Sequence, residues 1–177
     1  IDIDKFGFFH YNKSYSLYIF HCLFKYNRNG DDIMNNERLL ERFFRYISCP
    51  SESKHEKNFC IMIEEELKKL GLEVWRDEIG GEIGSDGWNI HACLPGEGDP
   101  MLFSAHLDTV SPGAGIKPVI KDGVIYSDGT TILGADDKSG VAVIMEALES
   151  IIESGAKHRT VEVMFSLCEE LGLLGAM

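Results

Sequence analysis

LGADDKSG, residues 133–140, sets three charged side chains, Asp136, Asp137 and Lys138, between glycines. Behind it Val141, Ile144, Met145, Leu148 and Ile152 recur at helical spacing, and Gly155 closes the run, so the octapeptide reads as the loop that enters a helix. Two further charged clusters flank it in sequence: Ala105-His106-Leu107-Asp108 upstream and Cys168-Glu169-Glu170 downstream. Each follows a run of apolar residues. An acid or imidazole at the end of a buried strand needs a partner, and a metal ion is one such partner.

Working outward, residues 100–105 and 160–167 read as the strands that lead into those clusters, and residues 72–76 and 88–94 as two more. Gly80-Gly81, Ser85-Asp86-Gly87 and Gly96-Glu97-Gly98 supply the turns between strands. Residues 116–121 and 124–126 read as a hairpin around Asp122-Gly123, a dipeptide that tolerates positive φ. Upstream, Leu39, Leu40, Phe43, Phe44 and Ile47 form a helical stripe that starts after Asn35-Asn36 and is stopped by Pro50. Ser53-Lys54-His55-Glu56 has a capping-box pattern, and Phe59, Met62, Ile63, Leu67 and Leu70 give the face of a second helix ending at Gly71. Residues 172–177 read as the start of another helix. The alternation predicts an α/β domain with a mixed, largely parallel sheet flanked by helices. In such sheets ligands collect outside the carboxyl ends of the strands, so the three clusters are expected to meet at one edge.

With 177 residues the chain can bury one core and is too short for two large domains. A net charge of −12 argues against nucleic acid and anionic membranes as partners, since both reward Lys and Arg. No apolar run reaches the roughly 18 residues of a membrane span. Five cysteines, odd in number and without a CxxC pair, point to free thiols in a reducing compartment, so a cytoplasmic location is expected. Residues 1–33 differ from the rest: nine of the 18 aromatic residues fall there, and the segment lacks Ala, Val, Glu, Thr and Pro. They are expected to be a non-native leader or disordered, with Met34 as the natural start and an N-terminal anchor as the rival reading.

Taken singly the clusters have ordinary explanations. His106 could be a core or surface histidine, Asp136-Asp137-Lys138 a solvated helix start that complements the helix dipole, and Glu169-Glu170 the acidic first turn of a last helix. Cys168 reads as a buried strand residue rather than a nucleophile. Together, an imidazole and several carboxylates are the donor set that zinc or a similar divalent metal takes. Two adjacent glutamates also permit a division of labour, one binding metal while its neighbour accepts a proton.

SAHLDTVSPG (104–113), SDGTTILGADDKSGVA (127–142) and EELGLLGA (169–176) resemble, in order, three motifs of the peptidase T-like branch of the co-catalytic zinc exopeptidases, which also include carboxypeptidase G and the aminoacylases. The resemblance runs from about Met34 to Met177. It implies a truncated zinc exopeptidase-like catalytic domain with two Zn2+ ions, Co2+ or Mn2+ being alternatives. His106 would bind one metal, Asp136 would bridge both and Glu170 would bind the other. Asp108 would orient the imidazole of His106, and Glu169 would be the general base. The peptide bond after Asp136 tends to be cis in that family.

The implied activity is hydrolysis of short peptides, in the manner of a tripeptide aminopeptidase. An N-acyl amino acid deacylase or dipeptidase, and a non-catalytic metal-binding relative, are the alternatives. The family pattern also requires a later carboxylate, a histidine near the C-terminus and an inserted lid domain through which homodimers form. Residues 34–177 are therefore expected to be the N-terminal part of a catalytic domain that lacks the lid and the C-terminal half, and to be inactive alone.

Overall fold

The computed structural model describes residues 34–177 together with the backbone of a two-residue strand, β1 (Phe9–His10), which pairs antiparallel with Val124 and Ile125. Apart from that strand, the reading of residues 1–33 as a leader lies outside the described residues.

Helix α1 (Asn36–Ile47) begins where the sequence suggests. The Asn35 side chain caps it by accepting from the Arg38 N–H at 3.0 Å, and the helix stops ahead of Pro50. Leu39, Phe43, Tyr46 and Ile47 are buried. Helix α2 (Lys57–Lys69) follows, but the capping-box expectation fails. Glu56 occupies the N-cap and makes no capping bond with its side chain, while the Asp86 carboxylate accepts the Lys57 N–H at 2.9 Å. Ser53 and Glu56 instead turn inward, to partners far away in the chain.

The four-stranded sheet is mixed. Its order is β2 (Glu73–Arg76), β3 (Ile90–Leu94), β7 (Val161–Ser166), β4 (Met101–His106), with β4 and β7 parallel and the other two pairings antiparallel. Between β2 and β3 lies a short helix, α3 (Ile79–Ile83), where the sequence suggests only a turn. The Asp77 side chain starts it by accepting from the Ile79 N–H at 3.3 Å. The hairpin β5 (Pro118–Lys121) and β6 (Val124–Ser127) turns at Asp122 and Gly123 with φ of 53° and 75°, the conformation a two-residue hairpin loop needs.

The pleat separates two environments. Ile90, Ala92, Ala105, Val161, Val163 and Phe165 share a buried face and one core cluster with Phe59, Ile63 and Leu67 of α2. That cluster also takes in Val141, Met145 and Leu148 of the long helix α4 (Ala135–Ser154). Trp75, Leu102 and Glu162 stand exposed on the opposite face. Each fully buried Val, Leu, Ile or Phe contributes roughly 1.5–3 kcal/mol of transfer free energy, which makes this layer the main source of stability. The stripe of α4 continues at Ile151, which is fully buried, whereas Ile152 is 38% exposed. A true 3.6-residue period from Ile144 through Leu148 reaches Ile151.

Charge also joins α1 to α4. The Glu146 carboxylate, with no exposure, accepts from Arg38 Nε and Nη2, both at 2.8 Å, from the Asn35 N–H at 3.1 Å and from Ser150 Oγ at 3.0 Å. After β7 the chain forms two 3-10 turns, Glu169–Leu171 and Leu174–Ala176. Leu173, at φ 63°, breaks the helical path between them.

Candidate active site

The parallel pairing of β4 with β7 builds the site. His106 ends β4 opposite Ser166, which ends β7, and the Leu107 N–H donates to Ser166 O at 2.8 Å. The two strands therefore finish flush, and Asp108 and Glu169-Glu170 emerge at the same edge. The start of α4 brings Asp136 to it.

His106 is buried and its two ring nitrogens have different tasks. Nδ1 lies 2.9 Å from the Asp108 backbone oxygen and 3.3 Å from Asp108 Oδ1. A carbonyl oxygen only accepts, so Nδ1 carries the proton. Nε2 faces Asp136 Oδ1 at 3.0 Å and Glu169 Oε2 at 3.8 Å. Burial works to lower the imidazole pKa, but hydrogen bonds to Asp108 and Asp136 overcome it and raise it to about 9.

Asp108 has no exposed surface and does more than face the imidazole. Its carboxylate accepts from Ser53 Oγ at 2.7 Å, from the Glu169 N–H at 2.8 Å and from the Glu170 N–H at 3.2 Å. Burial alone would raise its pKa. The bonds from His106, Ser53 and the Glu169 amide more than offset that and hold it below the ordinary carboxylate range.

Ligand atoms of His106, Glu169 and Glu170 lie within 4.8 Å of one another, the one such trio of His, Cys, Asp or Glu among the described residues. Asp136 joins it through His106 Nε2, and its side chain is 84% exposed, open to approach from solvent. The carboxyl of Glu170 is shifted up by burial first and then by the neighbouring charges of Asp136, Asp108 and Glu169, against the pull of His106. A surplus of negative charge around one imidazole nitrogen is what a divalent cation would neutralise. Nitrogen and carboxylate oxygen are also donors that zinc, cobalt and manganese accept, so the residues fit such an ion.

The other charges of the opening octapeptide are placed differently from a solvated helix start. Lys138 is fully buried: Nζ donates to Tyr46 O at 3.1 Å and Cys49 O at 2.5 Å, and lies 4.6 Å from the centre of the Phe59 ring. Burial pushes its pKa down to about 8. Asp137, its carboxyl pushed up to about 6 by burial, accepts from the Gly140 N–H at 3.0 Å, and the Asp136–Asp137 peptide bond is cis. A Cβ at Gly140 would collide with that carboxylate, which explains the glycine there.

Three supporting residues escape the sequence reading. Ser53 and Glu56 match a capping box by spacing, and Asn89 carries no motif. Yet Ser53 binds Asp108, and Asn89 accepts from the Leu167 N–H at 2.9 Å while donating to Gly175 O at 2.7 Å. Asn89, a polar residue between Trp88 and Ile90, leaves a trace of its role in the sequence, whereas Ser53 and Glu56 stand among polar and charged neighbours and leave none.

The model of peptidase family M28 matches residues 89–177, half of the chain, including His106, Asp108, Asp136, Glu169 and Glu170. The chain belongs to peptidase family M28. Among proteins similar to this M28 member, the uncharacterized protein YqjE of Bacillus subtilis is 40% identical over 146 residues, 81% of this chain and 39% of that protein. The crystal structure of aminopeptidase PepT from Bacillus cereus superposes with a TM-score of 0.79 at 42% identity, covering 82% of this chain and 40% of that one. A tripeptidase from Staphylococcus aureus gives 0.78 at 36% identity over 82% and 40%. The peptidase T-like character expected from the three motifs is borne out, as is the mixed α/β fold. The M28 chain spans about two fifths of the length of these relatives. The four described cysteines are free, and no helix of the described residues is long and apolar enough to cross a membrane.

Proposed function

We propose that the chain is the N-terminal part of a zinc-dependent exopeptidase domain that hydrolyses short peptides in the manner of a tripeptide aminopeptidase. The observation that carries this reading is the meeting of His106 Nε2 with Asp136 Oδ1 at 3.0 Å and with Glu169 and Glu170 at the shared end of β4 and β7. His106, Asp136 and Glu170 are the residues that would hold the ions. Bound metal would supply Lewis acidity, lowering the pKa of a water and favouring negative charge on the carbonyl oxygen.

The chain's own residues do the rest. Asp108 fixes the imidazole of His106 through Nδ1 and so presents Nε2 outward. Glu169, a half-open carboxylate beside that nitrogen, accepts the proton of the attacking water and returns it to the leaving amine. Asp108 also holds the Glu169 and Glu170 amides, which fixes the base relative to the ligands.

The relatives are more than twice as long, and the reading assigns to their additional length the remaining metal ligands, the lid and a homodimer contact. Residues 34–177 alone are accordingly inactive, and the complete protein works in the cytoplasm on soluble peptides. An N-acyl amino acid deacylase or dipeptidase shares this metal chemistry and differs in the pocket; a non-catalytic relative would have no need of Glu169.

Titration with Zn2+ by calorimetry tests the assignment. The wild-type chain should bind, His106→Ala should weaken binding about tenfold or more, and Glu169→Gln should bind nearly as well as wild type. Equal binding by His106→Ala would sink the metal reading. Chelator-sensitive hydrolysis of tripeptides by the purified chain would refute its inactivity.

A further inference from the structure

Glu56 is buried without exposure in the layer between α2 and the end of β7, and the chemistry above makes no use of it. Both of its oxygens are engaged. Oε1 accepts from the Cys168 N–H at 3.2 Å and from Cys168 Sγ at 3.1 Å, and Oε2 accepts from Ser85 Oγ at 2.6 Å. All three are neutral donors. A buried carboxylate costs too much to leave unpaired, so these bonds fix where it sits.

What it holds is the turn into the glutamate pair. Cys168 has φ 49°, a left-handed conformation that a residue with a Cβ rarely adopts, and the chain reverses there just before Glu169. The amide of Cys168 goes to Glu56, that of Glu169 to Asp108 Oδ1 at 2.8 Å and that of Glu170 to Asp108 Oδ2 at 3.2 Å. Three successive N–H groups are thus received by two buried carboxylates that lie far apart in sequence. Asp108 fixes the second and third; only Glu56 fixes the first, where the strained turn is made.

We propose that Glu56 is a positioning residue for Glu169 and Glu170: it clamps the Cys168 corner and, with Asp108, sets both side chains relative to His106. This rests on the metal-site reading above. Reach, not charge, is the requirement. Aspartate at position 56 keeps the charge but is one methylene too short to meet Ser85 and Cys168 together. Glutamine loses the charge yet spans the same distance, accepting from Cys168 through its oxygen and donating to Ser85 Oγ through its nitrogen.

The test uses the 177-residue chain, with Co2+ as the probe. Affinity is read by titration and ligand geometry by the visible absorption of the bound ion, while amide exchange at Cys168, Glu169 and Glu170 is followed by NMR. Glu56→Asp should bind Co2+ about tenfold more weakly with an altered spectrum, and exchange those amides about tenfold faster. Glu56→Gln should stay within about threefold of wild type on both readouts. Ile63→Val, a core change on the same helix, should lower Tm while leaving Co2+ affinity and spectrum unchanged, which separates positioning from general destabilisation. Wild-type behaviour of Glu56→Asp, or a loss in Glu56→Gln as large as in Glu56→Asp, overturns the proposal. If the wild-type chain binds no Co2+, the metal reading fails, and amide exchange in the two variants alone then decides whether Glu56 holds the corner.

Discussion

Asp108 shows how much one buried carboxylate can organise. It receives a hydroxyl, two backbone amides and one edge of an imidazole, and each oxygen faces an amide N–H that has no freedom to turn away. In Asp108→Asn, whichever way the amide is oriented, its NH2 group meets the N–H of Glu169 or of Glu170. One buried donor is left unpaired, so the variant should lose about 1–3 kcal/mol in urea unfolding. Zn2+ affinity should fall about 10–100-fold, because the glutamate corner and the histidine shift together. Unchanged stability would mean that the two amides do not depend on this carboxylate.

The helices are fixed to one another by ion pairs that differ in burial, and the difference sets the size of each effect. Glu146 on α4 has no exposure, while the Arg38 side chain from α1 keeps 22%. Removing the cation strands a buried charge, whereas removing the charge from the acid leaves an arginine that can reach water. Arg38→Met should therefore cost about 3–5 kcal/mol, and Glu146→Gln, which keeps the shape, nearer about 1–3 kcal/mol. Equilibrium denaturation of both variants checks the order. On α2, Glu64 accepts from Lys68 Nζ at 2.5 Å and Trp88 Nε1 at 2.9 Å, with Arg76 at 3.6 Å. Burial pushes its pKa up, and the Lys68 bond and the two cations pull it further down, below its ordinary 4.5. The unfolded chain therefore takes up a proton at higher pH than the folded one. The stabilisation from Glu64 is complete above about 4.5 and is lost as pH falls through the lowered folded value. Glu64→Gln should flatten the stability curve in that acid range while leaving the rest of its shape unchanged.

At the scale of the molecule, the proposed metal site would couple stability to metal uptake. Any ion that binds the folded site and not the unfolded chain stabilises the fold by mass action, by about 2.7 kcal/mol at a hundredfold excess over Kd. Saturating Zn2+ should raise the Tm, EDTA should reverse the rise, and His106→Ala should abolish it. A Tm indifferent to Zn2+ in the wild-type chain would count against the site as a whole.

The chain's own pattern determined most of the elements and the edge at which they meet. Hydrophobic period distinguishes helix from strand locally, and the site residues mark element ends: His106 closes β4, Asp136 lies at the start of α4, and Glu169 and Glu170 follow β7. Tertiary structure decided what long-range partners decide. Lys138 reads as a solvated charge until the carbonyl oxygens of Tyr46 and Cys49 are folded over it. Ser53 and Glu56 read as a helix cap because capping-box spacing is local, yet their acceptors and donors come from Asp108, Ser85 and Cys168. Local spacing records which residues are adjacent along the chain. A buried polar group, by contrast, takes its role from the donors or acceptors that packing brings to it, and no periodicity encodes those.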